Sequence, residues 1–80
     1  MERDVIKSKM YELIGEIVEL SADEIKEENS LMDDLDISSL EIMTMIADLE
    51  GHFQITIPEK DMRELVTVGD IIDYIYKVKE

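Results

Sequence analysis

The sequence predicts an all-α fold, a small four-helix bundle with three longer helices, one short helix and a long first loop. Three observations lead there. Apolar residues recur at helical spacing in three separate places. Capping patterns stand at the starts of two of those stretches. The one stretch that alternates like a strand has no second strand to pair with.

Taken in order, the first helix is expected from about Glu2 to Leu20, where Ile6, Met10, Leu13, Ile14 and Ile17 fall on one face. A long connection follows, from about Ser21 to Ile37, and Ser21 with Glu24 suggests a brief helical turn inside it. Ser38 stands three residues before Glu41, so the second helix begins near Ser39. In that arrangement the serine hydroxyl accepts an orphan backbone N–H while the carboxylate reaches back to the cap. Phe53-Gln54-Ile55-Thr56-Ile57 alternates, but a lone strand leaves its backbone groups unsatisfied, and an extended connection is expected instead. Pro58 disfavours α geometry at Ile57 and suits the start of a short helix over Glu59–Leu65. Thr67 and Asp70 repeat the capping pattern with a shorter acid. They open a last helix that carries Val68, Ile71, Ile72 and Ile75 and runs to about Val78.

Length and charge set limits on function. Eighty residues make one domain, 1–80, with one core and no room for a second. Apolar residues make up 45% of the chain, too many for an acidic disordered tail. Twenty-one Asp and Glu against eight Lys and Arg give a formal net charge of −13. Crowded like charges work against a net stability of about 4–12 kcal/mol, so salt or divalent cations should stabilise the fold. Nucleic acid is an unsuitable partner, because phosphate affinity comes mostly from Lys and Arg. Anionic membrane surfaces are disfavoured for the same reason, and a basic protein partner is favoured. With no cysteine there is no thiol nucleophile, disulfide or thiolate metal site. Met1-Glu2-Arg3-Asp4 lacks the start of a signal peptide, and no apolar run approaches the ~20 residues of a membrane span. A soluble, cytoplasmic monomer is the expectation.

The second helix has apolar residues to spare. Ile42, Met45, Ile46, Leu49 and Phe53 cluster in a wedge of roughly 80°, which should face the core. Leu40, Met43 and Ala47 lie roughly 100–160° away. They read either as a wide stripe buried between two neighbours or as a docking patch ringed by Asp36, Glu41, Asp48 and Glu50. Ser39 sits at this patch in the first turn, where free N–H groups and the helix dipole favour an anion such as an esterified phosphate. Serine is also simply tolerated at a first turn. The six methionines read either as flexible core fillers or as an expandable interior that admits a guest chain.

Internal serine catalysis is excluded on geometry, and an enzyme is the least expected class. The one histidine, His52, follows Ser39 by 13 residues on the same helix. That is roughly 20 Å of helical rise, against the ~3 Å that a nucleophile and its base require. Asp34, Asp36 and Ser38 alternate like the opening of a calcium loop, but Ser39 stands where Gly is needed and Met45 where Glu is needed. No metal site is expected.

Leu35-Asp36-Ile37-Ser38-Ser39-Leu40-Glu41 resembles the Asp-Ser-Leu-[Asp/Glu] attachment motif of acyl carrier proteins. The stretch Phe53–Glu59, followed by Thr67-Val68-Gly69-Asp70-Ile71-Ile72-Asp73-Tyr74-Ile75, is similar to the second half of that family. The resemblance covers about Met10 to Ile75. It implies a four-helix carrier with a 4′-phosphopantetheine arm on the motif serine, and Leu40 and Glu41 set the register that makes this Ser39. A phosphopantetheinyl transferase would install the arm from coenzyme A, using magnesium, and the arm's thiol would hold acyl groups as thioesters. The expected partners are acyl-chain synthases, ligases or transferases with basic patches, docking at Asp36, Leu40, Glu41, Met43, Ala47 and Glu50. The pathways implied are fatty acid, polyketide or related biosynthesis. Where the family has Asp before the serine this chain has Ser38, and Thr44 and Gly51 stand where the family commonly has acids, while Glu41 and Glu50 match; these departures point to a specialised carrier. An aminoacyl or peptidyl carrier, and an unmodified acidic docking module, remain as alternatives. Loading is expected to open the seam between the middle and last helices, at Met45, Ile46, Ile71 and Ile72.

Overall fold

A computed structural model describes residues 2–80; the reading of Met1 lies outside them. Four helices follow in order: α1 (Arg3–Ile17), α2 (Ser39–Phe53), α3 (Glu59–Met62) and α4 (Val68–Lys79). A 3-10 turn at Ala22–Glu24 interrupts the long first loop where Ser21 and Glu24 form their capping box. Among the described residues there is no strand, only an isolated bridge between Ser30 and Thr67.

Two helices are shorter than their periodicity suggests. α1 stops at Ile17 rather than Leu20, and Val18 is already extended. Its last turn has no basic residue, the carboxylates of Glu16 and Glu19 oppose the dipole there, and Ile17 and Val18 are both β-branched. α3 ends at Met62, and the chain reaches Leu65 through tighter turns, with Glu64 N–H on Asp61 O and Leu65 N–H on Met62 O. α2 and α4 begin at the residues that their caps dictate. The Asp70 carboxylate accepts from both Val66 N–H and Thr67 N–H, so the shorter acid closes the box fully. These backbone N–H groups, Thr67's first, hold Asp70 below its ordinary pKa.

α1 packs on both α2 and α4, which do not pack closely on each other among the described residues. Ile6, Met10 and Ile14 of α1 meet Met45, Leu49 and Phe53 of α2 and Ile71, Ile72 and Ile75 of α4 in one core. The long loop adds Ile25, Leu31, Leu35 and Ile37, all buried. Ile42 departs from the expected wedge: it is half-buried at the core's edge, one turn nearer the open end of α2. The stretch after α2 is extended, as its missing partner strand requires. Gln54 turns it through the left-handed region (φ 55°), and Glu50 Oε2 accepts the Ile57 N–H at 2.8 Å.

Hydrogen bonds fasten the loop to the far end of the molecule. Leu31 N–H donates to Val66 O, Val68 N–H to Asn29 O, and Gly69 N–H to Glu27 O at 2.8 Å. Gly69 approaches so closely that a Cβ there would lie 3.2 Å from Glu27 O. Arg3 binds the Glu27 carboxylate through two nitrogens and reaches Asp73 of α4 at 2.9 Å. Lys7 adds a second cation 3.4 Å from Glu27.

Acid should loosen this clamp. Hydrogen bonds from the Arg3 guanidinium hold the Glu27 carboxyl at about 2, against 4.5 ordinarily. Because the folded-state value lies below the unfolded one, the contribution is complete above about pH 4.5 and is lost as pH falls towards 2. The Glu27 and Arg3 side chains are 30% and 34% exposed. Solvent screening therefore leaves about 1–2 kcal/mol. Glu27→Gln should be less stable than wild type by that amount at neutral pH, with the gap in urea midpoints closing in strong acid. A gap that persists unchanged at about pH 2 would count against an ionic clamp.

Candidate functional site

Ser38 and Ser39 divide two duties at the start of α2. Ser38 is the cap: its Oγ accepts the Glu41 N–H at 3.2 Å, and Glu41 Oε1 accepts the Ser38 N–H at 3.0 Å. That backbone N–H lowers the Glu41 pKa. Ser39 is the first helical residue, exposed, and its hydroxyl makes no hydrogen bond among the described residues. The turn therefore offers one engaged hydroxyl and one that is open to solvent and to a reagent.

Asp36 prepares this turn. It lies in the left-handed region (φ 56°) between buried Leu35 and buried Ile37, where the chain must reverse to send both side chains inward. Aspartate tolerates that region better than most residues, and a β-branched side chain does not. Asp36→Val should cost about 1–2 kcal/mol, whereas Asp36→Gly should stay within about 0.5 kcal/mol of wild type. Thermal denaturation of the two variants checks this, and equal losses would remove the backbone argument.

Beside Ser39 lies a cleft of about 410 Å³. Ile42, Met43 and Ile46 of α2 form one wall. Residues Ser30–Asp33 of the long loop form a second, and Glu59, Met62, Arg63, Leu65 and Val66 a third. Its lining is mostly apolar, with Arg63 the one cation on it. On the other flank of α2, Leu40, Glu41, Thr44, Met45 and Asp48 face Leu13, Glu16 and Ile17 of α1 across a groove of about 340 Å³. α2 thus stands between two apolar openings, and Ser39 borders the larger.

This geometry redistributes the residues expected at the site. Leu40 and Met43 are 74% and 60% exposed, and Ala47 is exposed too, so the reading of a buried stripe fails. The two large side chains do not share one patch, however: Met43 turns to the cleft and Leu40 to the groove. Asp36 and Glu41 are exposed near Ser39, whereas Glu50 is half-buried and engaged with Ile57 N–H. His52 is exposed at the opposite end of α2, edge-on to Phe53. Of the expected seam, only Ile46 reaches the cleft; Ile71 and Ile72 are fully buried away from it. Met32, Met62, Leu65 and Val66 were not among the expected site residues. No periodicity marks loop residues, and only the folded chain brings them to α2. The methionines divide between both readings: Met10 and Met45 fill the core, while Met32, Met43 and Met62 line the cleft.

At the head of α2 the structure thus places an exposed serine beside an apolar cleft, with His52 at the helix's other end. In comparison with known families, residues 8–75 match the family described as "Phosphopantetheine attachment site". The chain belongs to the acyl carrier protein family. It is 41% identical over 75 residues to the acyl carrier protein of Exiguobacterium sp., covering 94% of this chain and 95% of that one. Against the acyl carrier protein of Beutenbergia cavernae the identity is 40% over 70 residues, with 88% and 85% covered. The meromycolate extension acyl carrier protein of Mycobacterium leprae is 39% identical over 78 residues, 98% of this chain and 68% of that one. Among solved structures, the acyl carrier protein from Enterococcus faecalis superposes with a TM-score of 0.84 at 28% identity, covering 96% and 98%. The family carries 4′-phosphopantetheine, and its members are carriers, not enzymes. No described helix is long and apolar enough to cross a membrane.

Proposed function

We propose that Ser39 Oγ is the attachment point of the 4′-phosphopantetheine arm, and that the cleft beside it receives the apolar part of the cargo. The observation that carries this is the open Ser39 hydroxyl in the first turn of α2, next to a cap that Ser38 alone supplies. The first turn's N–H groups and the positive end of the dipole favour a phosphodiester there. When bound, the arm supplies the thiol that this cysteine-free chain lacks, on which acyl groups are held as thioesters. The chain's own part is to present that attachment point, keep water from an apolar chain along Ile42, Met43, Ile46 and Met62, and offer a surface to partners.

The partners are a phosphopantetheinyl transferase and the enzymes of fatty acid or related biosynthesis. Docking is assigned to Asp36, Leu40, Glu41, Met43 and Ala47, with Glu50 at the margin because one of its oxygens already serves Ile57. Charge complementarity supports basic patches on those partners. A specialised role is favoured by Ser38 at the motif's acidic position and by the kinship with a meromycolate extension carrier. The protein is assigned to the cytoplasm as a monomer. Incubation with coenzyme A, magnesium and a broad-specificity transferase, followed by intact mass measurement, tests the site. A gain of one phosphopantetheine is expected, and a chain that stays bare under those conditions overturns the assignment.

A further inference from the structure

Five methionines lie among the described residues, and their placement is not uniform. Met10 and Met45 are 0% and 1% exposed in the core. Met32 and Met43 are 52% and 60% exposed, Met62 is half-buried, and all three line the cleft beside Ser39. They come from three separate elements, the long loop, α2 and α3, so no local sequence spacing groups them. Met43 follows Ser39 by one helical turn, which puts their Cβ atoms about 5–6 Å apart. With no cysteine in the chain, the polypeptide has no more reactive sulfur to intercept an oxidant.

We propose that this cleft is a peroxide-sensitive modification site, at which Met32, Met43 and Met62 are converted to sulfoxides while Met10 and Met45 are spared. In each step a sulfur lone pair attacks one peroxide oxygen and the O–O bond breaks. The sulfur loses two electrons and gains that oxygen, and the peroxide is reduced to water. A thioether is apolar and adaptable, whereas a sulfoxide is polar and carries a strong acceptor oxygen. The lining thereby changes from one that shelters an apolar chain to one that prefers water. This consequence rests on the proposed role of the cleft as a cargo site; the selectivity of oxidation does not. Methionine sulfoxide reductase, drawing on a thiol reductant, restores the original lining.

The experiment starts from the bare chain, treated with hydrogen peroxide and mapped by peptide mass. Met32 and Met43 should oxidise at least ~10-fold faster than Met10 and Met45, with Met62 between. Equal rates at all five overturn the proposal, as does loss of the helical circular dichroism signal before the cleft methionines are consumed. Oxidised and untreated chains are then loaded with octanoyl-phosphopantetheine, and thioester cleavage by hydroxylamine is timed. Cleavage should be ~3–10-fold faster in the oxidised protein and should return to the original rate after treatment with the reductase. In a Met32→Leu, Met43→Leu, Met62→Leu variant, peroxide should no longer change the cleavage rate, whatever its starting value. An unchanged rate in the oxidised wild type overturns the functional half. A chain that cannot be loaded at all instead sinks the assignment of Ser39, while the oxidation map still decides the selectivity.

Discussion

Ser39→Ala is expected to remain folded and to take no arm, whereas Ser38→Ala is expected to lose stability and still take one. The two serines are adjacent and chemically alike, so only their places in the first turn distinguish them. Ser38 Oγ accepts the Glu41 N–H and Ser38 N–H donates to Glu41, and together these satisfy two donors that a helix start otherwise leaves open. Removing that hydroxyl should cost about 1 kcal/mol. Ser39 lies inside the helix, exposed and outside the capping box, and alanine is the better helix former, so its loss should change stability by less than about 0.5 kcal/mol. Urea titration and intact mass after transferase treatment read both effects on the same samples. Mass gain in Ser39→Ala, or a folded Ser38→Ala that resists modification, would show that the register of the motif is wrong.

Leu49→Ala should cost about 3–4 kcal/mol, while Leu40→Ala on the same helix should leave stability within about 0.5 kcal/mol. Leu49 is fully buried, and truncating it removes apolar contact and leaves a cavity that the core only partly fills. For a domain of this size that is a large share of the total. Leu40 is 74% exposed, so its truncation leaves no cavity. Its effect should instead appear in function, as slower modification or slower acyl transfer by a partner, because it lines the apolar groove between α1 and α2 beside Glu41 and Asp48. Paired thermal melts and transferase kinetics on the two variants separate the faces of α2. A Leu40→Ala chain that melts like Leu49→Ala would contradict the exposure on which the docking assignment stands.

Local chemistry made much of this legible in the sequence. Ser38–Glu41 and Thr67–Asp70 announce helix starts because a capping box is a contact between residues three apart. The buried faces of α1, α2 and α4 follow from spacing for the same reason. Helix ends were read less well: α1 stops three residues before Leu20 because dipole and β-branching act against continuation, and neither interrupts the hydrophobic period. Ile42 follows the apolar period of α2 yet ends at the core's edge, since the wedge is wider than the surface available to cover it.

By itself, then, the chain's order of residues determined four helices, a serine at the head of the second, an acidic surface and the motif of a carrier. Those features depend on neighbours within a few residues or on composition, and both can be read in one dimension. Tertiary structure alone decided where the opening lies. The cleft joins α2 to a loop pinned by Leu31 and Val66 and to the α3 region, rather than parting α2 from α4. It also decided that Leu40 and Met43 look into different openings, and that Met32, Met43 and Met62 meet. Contacts between residues tens of positions apart are set by packing of the whole core, and no local pattern encodes them.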